Sequence, residues 1–442
     1  MKQLMKKTIL VLLMLLLSLS AWARDDDDDD YDDDEDAVEV QAQEEEPVLP
    51  IKKNFGFRNR MFELSLFNMG LNVSNDVIAA ADLLQKTAVI NLDDIMSGIR
   101  LDFGMSVTPL SLNFNLKDRW GFGLDLAQID IFGNVSLSGN LIGLDYADNL
   151  TTGVGAAVFV GVVGVPIFFH VKNVKVKIRP SAYLPVLYAE PGVTYSFNGE
   201  RLSLKYDMEV YSIINLDGIG GDGMGAIQDN FDVNDIPDIL SNNLGYDLGL
   251  GLEYPLFSWL DLGVDIVNLP VPFMGAKLNH YLKLKDEVYV DTSDIDILDL
   301  IDGGDFPEDA YYFPESFEPE YLYNSRGKAL YRPFKMLFYV NYRFFDSNLL
   351  TLTPQLGFSI NRLYPEIGSI EAGLSARLDL GNAFVTTLGT GYLDRNWKHS
   401  LDFIFNFRVF EIDLGVSVQS PDFVKSFRGA GAGVNFCLKM GL

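Results

Sequence analysis

Charged residues alternate with apolar residues in several stretches of the 442-residue chain. In an extended strand this spacing puts all the charges of one stretch on a single face. The sets are Lys175, Lys177 and Arg179, then Asp247 and Glu253, then Asp261 and Asp265. In a soluble sandwich such a face meets solvent, whereas in a closed barrel it lines the lumen, where opposite charges pair or border a water-filled path.

Residue types that carry out catalysis or bind metals occur without the required spacing. His170, His280 and His399 are scattered, and none belongs to a nucleophile motif or to a metal-ligand pattern. The glycine-rich stretch from Gly218 to Gly225 lacks the lysine of a phosphate-binding loop. We therefore predict a protein that is not an enzyme and that holds no cofactor and no metal.

The elements that present these charges are predicted to be antiparallel strands. Apolar residues occupy odd positions from Leu401 to Val409 and even positions from Phe410 to Val418. Because side chains alternate with a period of two, this change of phase predicts a hairpin that keeps the same face apolar. Seventeen stretches read this way, but bacterial barrels have an even number of strands, so we expect about 14 to 16. The shortest stretch, Val193 to Asn198, is the first that we would remove from the list of predicted strands.

The N-terminal region predicts export. Three lysines precede an apolar run and an Ala-Trp-Ala site, which predicts a signal peptide over residues 1–23. The alternative is a membrane anchor, but the run is shorter than the ~20 residues that a helix needs to cross a bilayer. Export and amphipathic strands together predict the outer membrane, with its lipid and the barrel-assembly machinery as partners.

Residues 24–54 form an acidic tail and linker. The chain carries a formal charge of −28, and Asp25 to Glu46 contributes −15 of it. Such a segment buries too little apolar surface to fold, so a solvated tail is predicted. Loosely held divalent cations or a basic partner are the alternatives, and the acidity argues against nucleic acid as a partner.

Residues 55–442 are predicted to form one barrel domain. Between its first two strands, residues 76–97 contain helical spacing and are a candidate plug, with Ile78, Ala81, Leu84 and Ile95 as its apolar residues. The same piece could instead cap the rim of the barrel.

Two long acidic insertions interrupt the strand pattern, at Asn215 to Leu244 and Asp291 to Tyr331. Because three predicted strands separate them, they are expected at opposite ends of the barrel. The second carries an apolar surface that predicts ligand capture, since a purely solvated loop has no need of one. Its candidate residues are Leu298, Ile301, Phe313, Phe317 and Tyr321.

Three segments carry a family resemblance. Phe62 to Asn68 (FELSLFN) precedes the candidate plug, and Lys177 to Pro185 and Gly263 to Pro270 are amphipathic strands ending at proline. Together with the export signal, they resemble spirochaete-type outer-membrane barrels, which are similar in plan to the long-chain fatty-acid transporter family. The resemblance covers residues 55–442, although the Asn-Pro-Ala hatch motif is missing.

The resemblance implies an outer-membrane channel that admits small hydrophobic molecules such as long-chain fatty acids. Two alternatives remain open. A barrel that merely displays its acidic loops is a surface structural or adhesive protein, and a barrel with an open lumen is a general porin.

Overall fold

A computed structural model describes most of the chain outside the N-terminal region. The described residues are 60–76, 99–116, 120–138, 150–197, 201–213, 236–271, 276–291, 311–312, 320–344, 349–361, 367–381, 383–407 and 409–441. Across these ranges, no helix has the length and apolar character needed to cross a bilayer.

Nineteen strand segments dominate the described residues, and two short helices accompany them. In chain order the elements are β1 (Phe62–Asn75), β2 (Ile99–Leu116), β3 (Trp120–Ser138), β4 (Leu150–Gly164), β5 (Ile167–Val171), β6 (Val174–Phe197), β7 (Arg201–Ser212), α1 (Ile236–Asn243), β8 (Gly245–Phe257), β9 (Leu260–Pro270), β10 (Ala276–Asp291), β11 (Tyr311–Tyr312), β12 (Glu320–Leu330), β13 (Phe334–Arg343), β14 (Leu350–Ile360), β15 (Gly368–Leu380), β16 (Phe384–Leu393), β17 (Asn396–Asn406), β18 (Phe410–Ser420), α2 (Phe423–Phe427) and β19 (Gly431–Gly441).

The strands form one antiparallel sheet that closes on itself. β1 pairs with β2 on one side and with β19 on the other, with Glu63 opposite Gly441. Closure leaves no free edge in the wall, so backbone groups find partners without water. The wall is a 14-strand barrel with little helix, which confirms the predicted all-β fold and falls within the predicted range.

Several segments are parts of longer strands, which explains why the predicted list was too long. β5 continues β4, since both pair with β3 and β6. Likewise β10 continues β9, and β13 continues β12. The separate strand predicted at Val193 to Asn198 is the end of β6, whose 24 residues run unbroken past Pro185 and Pro191. Pro185 lies beside a shift in the register between β6 and β4, where a strand can accommodate a proline.

The insertion predicted between residues 215 and 244 is not a loop at one end of the barrel. β7 pairs with the C-terminal part of β6, and its last residue, Ser212, lies opposite Leu187. β8 pairs with the N-terminal part of β6, and its first residue, Gly245, lies opposite Tyr183. β7 and β8 thus run in the same direction along one strand position. The described part of the insertion is α1, which leads directly into β8, and residues 214–235 lie outside the described residues.

The prediction that the two insertions lie at opposite ends is wrong. It counted three crossings between them, but β9 and β10 together make one, interrupted near residues 271–275. The prediction of one long loop from Asp291 to Tyr331 is also wrong in part. β11 and β12 lie within it, and both pair with β10.

The two faces of the wall differ in chemistry. Exposed apolar side chains, such as Leu388 at 62%, Leu356 at 59% and Val416 at 54%, lie on the outer face, where they meet lipid. Short turns connect strands at the end that holds residues 60 and 441, which is the periplasmic end in barrels of this type. We call the opposite end of the barrel the far end. There, Asp394 and Arg395 both have positive φ and form a two-residue hairpin turn.

Candidate functional site

Hydrogen bonds between distant strands identify the inner face of the barrel. Ser74 of β1 donates to Asn396 of β17 at 2.9 Å, and Arg60, just before β1, donates to Asn406 at 2.8 Å. Two strands of the wall, β18 and β19, separate these partners. Such bonds must cross the interior, and the alternating polar residues on this side therefore line it.

The main group of interior charges is built around Arg332, between β12 and β13. Its guanidinium donates to both carboxylate oxygens of Asp247 on β8, each at 2.7 Å, and to Ser181 on β6 at 2.8 Å. Asp130 on β3 lies 3.9 Å away. The side chains of Arg332 and Asp247 are 2% and 3% exposed, so this bidentate pair satisfies charges that burial would otherwise penalise.

Two further ion pairs lie between this group and the periplasmic end. Arg179 donates to Asp125 at 2.9 Å and to Gln128 at 3.0 Å. Nearer the periplasmic end, Lys175 pairs with Glu253. We call the pairs centred on Lys175, Arg179 and Arg332 the ion-pair column.

The structure brings most of the charges singled out in the sequence close to this column. Lys175, Arg179, Asp247 and Glu253 belong to it. Of the other three, Asp261 pairs with Arg343, which also donates to the carbonyl of Ser258 at 3.0 Å. Lys177 is exposed and lies 5.9 Å from the ring of Phe168, and Asp265 lies on β9 opposite Gly251.

Directly beyond the column, toward the far end, the interior becomes apolar. Phe159 lies opposite Asp130 in the strand register, and its ring is 6.1 Å from Tyr183 and 6.4 Å from Phe132. We call the buried or partly buried residues on this inner face the aromatic layer. Its members are Phe132, Ala157, Phe159, Tyr183 and Tyr188.

Tyr183 joins the aromatic layer to the ion-pair column. Its hydroxyl donates to the carbonyl of Leu330 at 2.9 Å, and the guanidinium carbon of Arg332 lies 5.1 Å from its ring centre. The ring also occupies the space that a side chain at Gly245 would need, since a Cβ there would lie 2.5 Å from it. Tyr183 is thus fixed by a hydrogen bond, a cation-π contact and close packing.

Helix α1 adjoins this apolar region. Ile239 and Leu240 of α1 pack against the buried cluster that includes the aromatic layer, together with Ile213 and Leu278. Asn243, at the end of α1, donates to the carbonyl of Lys277. The helix is therefore held between β6 and β10, beside the aromatic layer.

Sequence reasoning missed Arg332 and the aromatic layer. The signal for Tyr183 was present, because it continues the odd-numbered series of Lys175, Lys177 and Arg179 on β6. Arg332 lies in a short irregular stretch between two strands, where alternation does not indicate on which face of the wall a side chain lies. Its role depends on contacts with β3 and β8, which are remote in sequence.

Most residues predicted to capture or gate a ligand lie outside the described ranges. These are Leu298, Ile301, Phe313 and Phe317, and the candidate plug residues Ile78, Ala81, Leu84 and Ile95. Tyr321 belongs to β12, where its backbone pairs with Leu282, so it is not in a loop as predicted. At the start of the candidate plug, Asp76 accepts a hydrogen bond from the N–H of Arg100 at 2.7 Å, while burial raises the pKa of its carboxyl.

One apolar depression of about 570 Å³ lies on the outer face, between β8, β9, β13 and β14. Its lining residues include Leu252, Leu262, Phe338 and Leu356, which are exposed lipid-facing residues. The depression therefore belongs to the lipid boundary and is separate from the interior site.

A closed antiparallel barrel with an apolar exterior and a polar interior defines an outer-membrane type of architecture. No family model and no curated protein matches the chain.

Solved structures with a similar fold include outer-membrane channels. The toluene transporter TbuX of Ralstonia pickettii is 9% identical over 88% of this chain and 91% of that chain, with a TM-score of 0.43. The CymD monoaromatic hydrocarbon channel is 10% identical over 87% and 89%, with a TM-score of 0.41. A FadL homologue of Pseudomonas aeruginosa is 12% identical over 86% and 89%, with a TM-score of 0.38. The likeness is one of barrel architecture, and no substrate is inferred from it.

Proposed function

We propose that this protein is an outer-membrane channel that admits small hydrophobic molecules, such as long-chain fatty acids, and catalyses no reaction. The observation that carries the proposal is the aromatic layer. It lies inside a closed barrel, on the side of the buried ion-pair column that faces the far end. The layer lies between this column and an outer set of charges, in which Lys328 pairs with Glu190 and lies 4.4 Å from the ring centre of Tyr188. A molecule that passes the outer charges therefore reaches an apolar surface before it reaches the column.

The aromatic layer supplies the chemistry for a hydrophobic ligand. Removing apolar surface from water contributes about 25 cal/mol per Å². Phe132 is the partly exposed ring of the layer, and it packs against Phe159. Phe159 and Tyr183 are 2% and 1% exposed and support it from behind, with the Tyr183 hydroxyl engaged by Leu330. These groups favour alkyl or aromatic ligands over polar solutes.

The ion-pair column argues against a general porin. A diffusion pore needs an open aqueous path, and its charged residues are hydrated. Here the side chain of Lys175 is 4% exposed and that of Arg332 is 2% exposed. The paired charges at these levels neutralise one another and are largely buried, while Lys177 on the same face is exposed.

In the proposed mechanism, capture precedes binding in the interior. The apolar residues Leu298, Ile301, Phe313, Phe317 and Tyr321 collect the ligand at the far end, and it then passes the segment 76–97 before reaching the aromatic layer. Export by the signal peptide 1–23 and assembly of residues 55–442 in the outer membrane complete the proposal. The acidic segment 24–54 is its solvated tail.

The experiment replaces the partly exposed ring of the aromatic layer. Phe132→Ala removes ring contacts worth about 1.5 kcal/mol, so uptake of a labelled long-chain fatty acid at limiting concentration should fall about tenfold. Uptake is measured in cells that make the chain, with assembly checked by the mobility of unboiled samples on a gel. Equal uptake by the variant and the parent would contradict the proposed ligand path.

Phe103→Ala is the matched control. Phe103 is 38% exposed on the outer face of β2 and contacts lipid, so its loss removes the same ring without touching the interior. Uptake should remain at the parent level. A surface protein that only displays loops would show no uptake above cells lacking the chain.

A further inference from the structure

The short helix α2 connects β18 to β19 at the far end and folds over the outside of the barrel. Phe423 contacts Trp397 with ring centres 4.8 Å apart, and Phe427 stacks on His399 at 3.9 Å. Trp397 and His399 share the odd-numbered outer face of β17 with Leu401, which lies opposite the exposed Leu388. α2 therefore rests on the lipid-facing side of the wall.

One polar residue fixes α2 in this position. Ser426 is fully buried and its hydroxyl donates to the carbonyl of Phe423 at 2.6 Å. Its oxygen also lies 3.0 Å from Nε2 of His399, whose Nδ1 is 2.9 Å from the hydroxyl of Thr390. Because the Ser426 proton is directed to the carbonyl, His399 donates through Nε2 and accepts from Thr390 through Nδ1. This arrangement attaches the helix to the wall and leaves no base for a serine nucleophile.

The apolar residues of α2 remain largely exposed although two of them contact the wall. Phe423, Val424 and Phe427 are 48%, 63% and 62% exposed. The outer face of β18, against which α2 also packs, carries further exposed apolar residues, with Val418 and Val416 at 38% and 54%. Tyr392, 5.4 Å from Trp397, adds an aromatic ring at the same level, as expected where a barrel leaves the hydrocarbon region.

We infer that α2 is a membrane-interface anchor whose apolar side is covered by the outer leaflet of the outer membrane. Continuity with the lipid-facing wall and the adjoining aromatic rings identify lipid as the occupant. The anchor also holds the start of residues 76–97, because Lys425 of α2 donates to the carbonyl of Asp76 and Ser420 donates to that of Asn75. The inference depends on the membrane location and is independent of the ligand.

The test measures what contacts Val424 in the folded protein. A spin label is attached at Val424→Cys in a Cys437→Ala background, since Cys437 is the sole cysteine, and the protein is reconstituted in phosphatidylcholine vesicles. Oxygen partitions into lipid and a nickel chelate remains in water. The ratio of oxygen to nickel collisions at Val424 should match that at Val416→Cys on the wall and exceed severalfold that at Asn173→Cys, an exposed turn residue.

Three results would overturn the inference. A ratio like that at Asn173 would mean that α2 lies in water. Dipolar broadening that depends on the protein-to-lipid ratio would mean that a second copy covers the helix. Protection from both reagents would mean that another segment of this chain covers it. If labelling at Val424 prevents folding, Phe427→Cys provides the same measurement from the neighbouring exposed position.

Discussion

Arg332 shows how a single residue organises the interior. It lies between two strand segments and reaches three other strands, through Asp247, Ser181 and Asp130. Asp247 is buried and depends mainly on the guanidinium for compensation of its lost hydration. Asp130 is also buried, but it accepts further hydrogen bonds from Ser106 and Gln128. A lysine could not replace it, because the fork of the guanidinium makes two parallel bonds to one carboxylate.

Replacement of Arg332 should therefore destabilise the barrel strongly. Arg332→Met leaves Asp247 buried without its cation, which costs about 3–5 kcal/mol. The variant should unfold at lower urea concentration than the parent in detergent, measured by tryptophan fluorescence. Adding Asp247→Leu should recover much of the loss, since an apolar pair of similar volume is often as stable as a buried ion pair. No recovery in the double variant would contradict the assigned pairing.

At the scale of the strand, alternation separates lipid-facing from interior residues. In the β17 and β18 hairpin, Phe403 lies opposite Leu414 on the outer face, while Asp413 lies on the inner face and pairs with Lys439. The alternating pattern places adjacent residues on opposite faces of the wall, one toward lipid and the next toward the interior. The two faces should respond differently to the same kind of substitution.

Leu414→Asp should impair assembly more than Asp413→Asn does. A charge placed on the lipid face costs on the order of 2 kcal/mol near the midplane, whereas the inner face already accommodates charge. The measurement is the fraction of heat-modifiable protein recovered in the outer membrane. If both variants lost similar amounts of folded protein, the assignment of Leu414 to the outer face and of Asp413 to the inner face would be wrong.

Alternation predicted antiparallel strands and their approximate number, and the closed barrel was predicted only when the export signal was considered as well. Alternation also placed Lys175 and Arg179 on the same face. It could not show that β9 and β10 form one strand, because the sequence between Pro270 and Ala276 resembles a turn. The arrangement of β7 and β8 was missed for the same reason, since only the pairing with β6 reveals that they run in the same direction.

The aromatic layer depends on contacts that no local pattern records. Phe159 on β4 and Tyr183 on β6 lie on neighbouring strands, but bulges in their pairing shift the register between them. Phe132 on β3 completes the layer. A one-residue shift moves a side chain to the other face, so predicting this layer would have required the bulges as well as the strands.

On the scale of the whole molecule, the barrel combines a lipid-facing exterior, buried ion pairs on the inner face, and an apolar layer toward the far end. The closed wall accounts for stability without disulfides, since Cys437 is a free thiol. Asp25 to Glu46 contributes −15 of the formal charge of −28. The buried ion pairs and the apolar layer are the features on which the proposal of a selective hydrophobic channel rests.

The most direct test compares the admission of two solutes by the same cells. Cells that make the chain, and whose unboiled protein shows the mobility of a folded barrel, are supplied with a labelled long-chain fatty acid and with a small hydrophilic β-lactam. The account predicts that the chain raises the rate of fatty-acid uptake over control cells and leaves β-lactam permeation unchanged. An increase for both solutes would indicate a general porin, and an increase for neither would indicate a surface-display protein; either result would contradict the proposed channel.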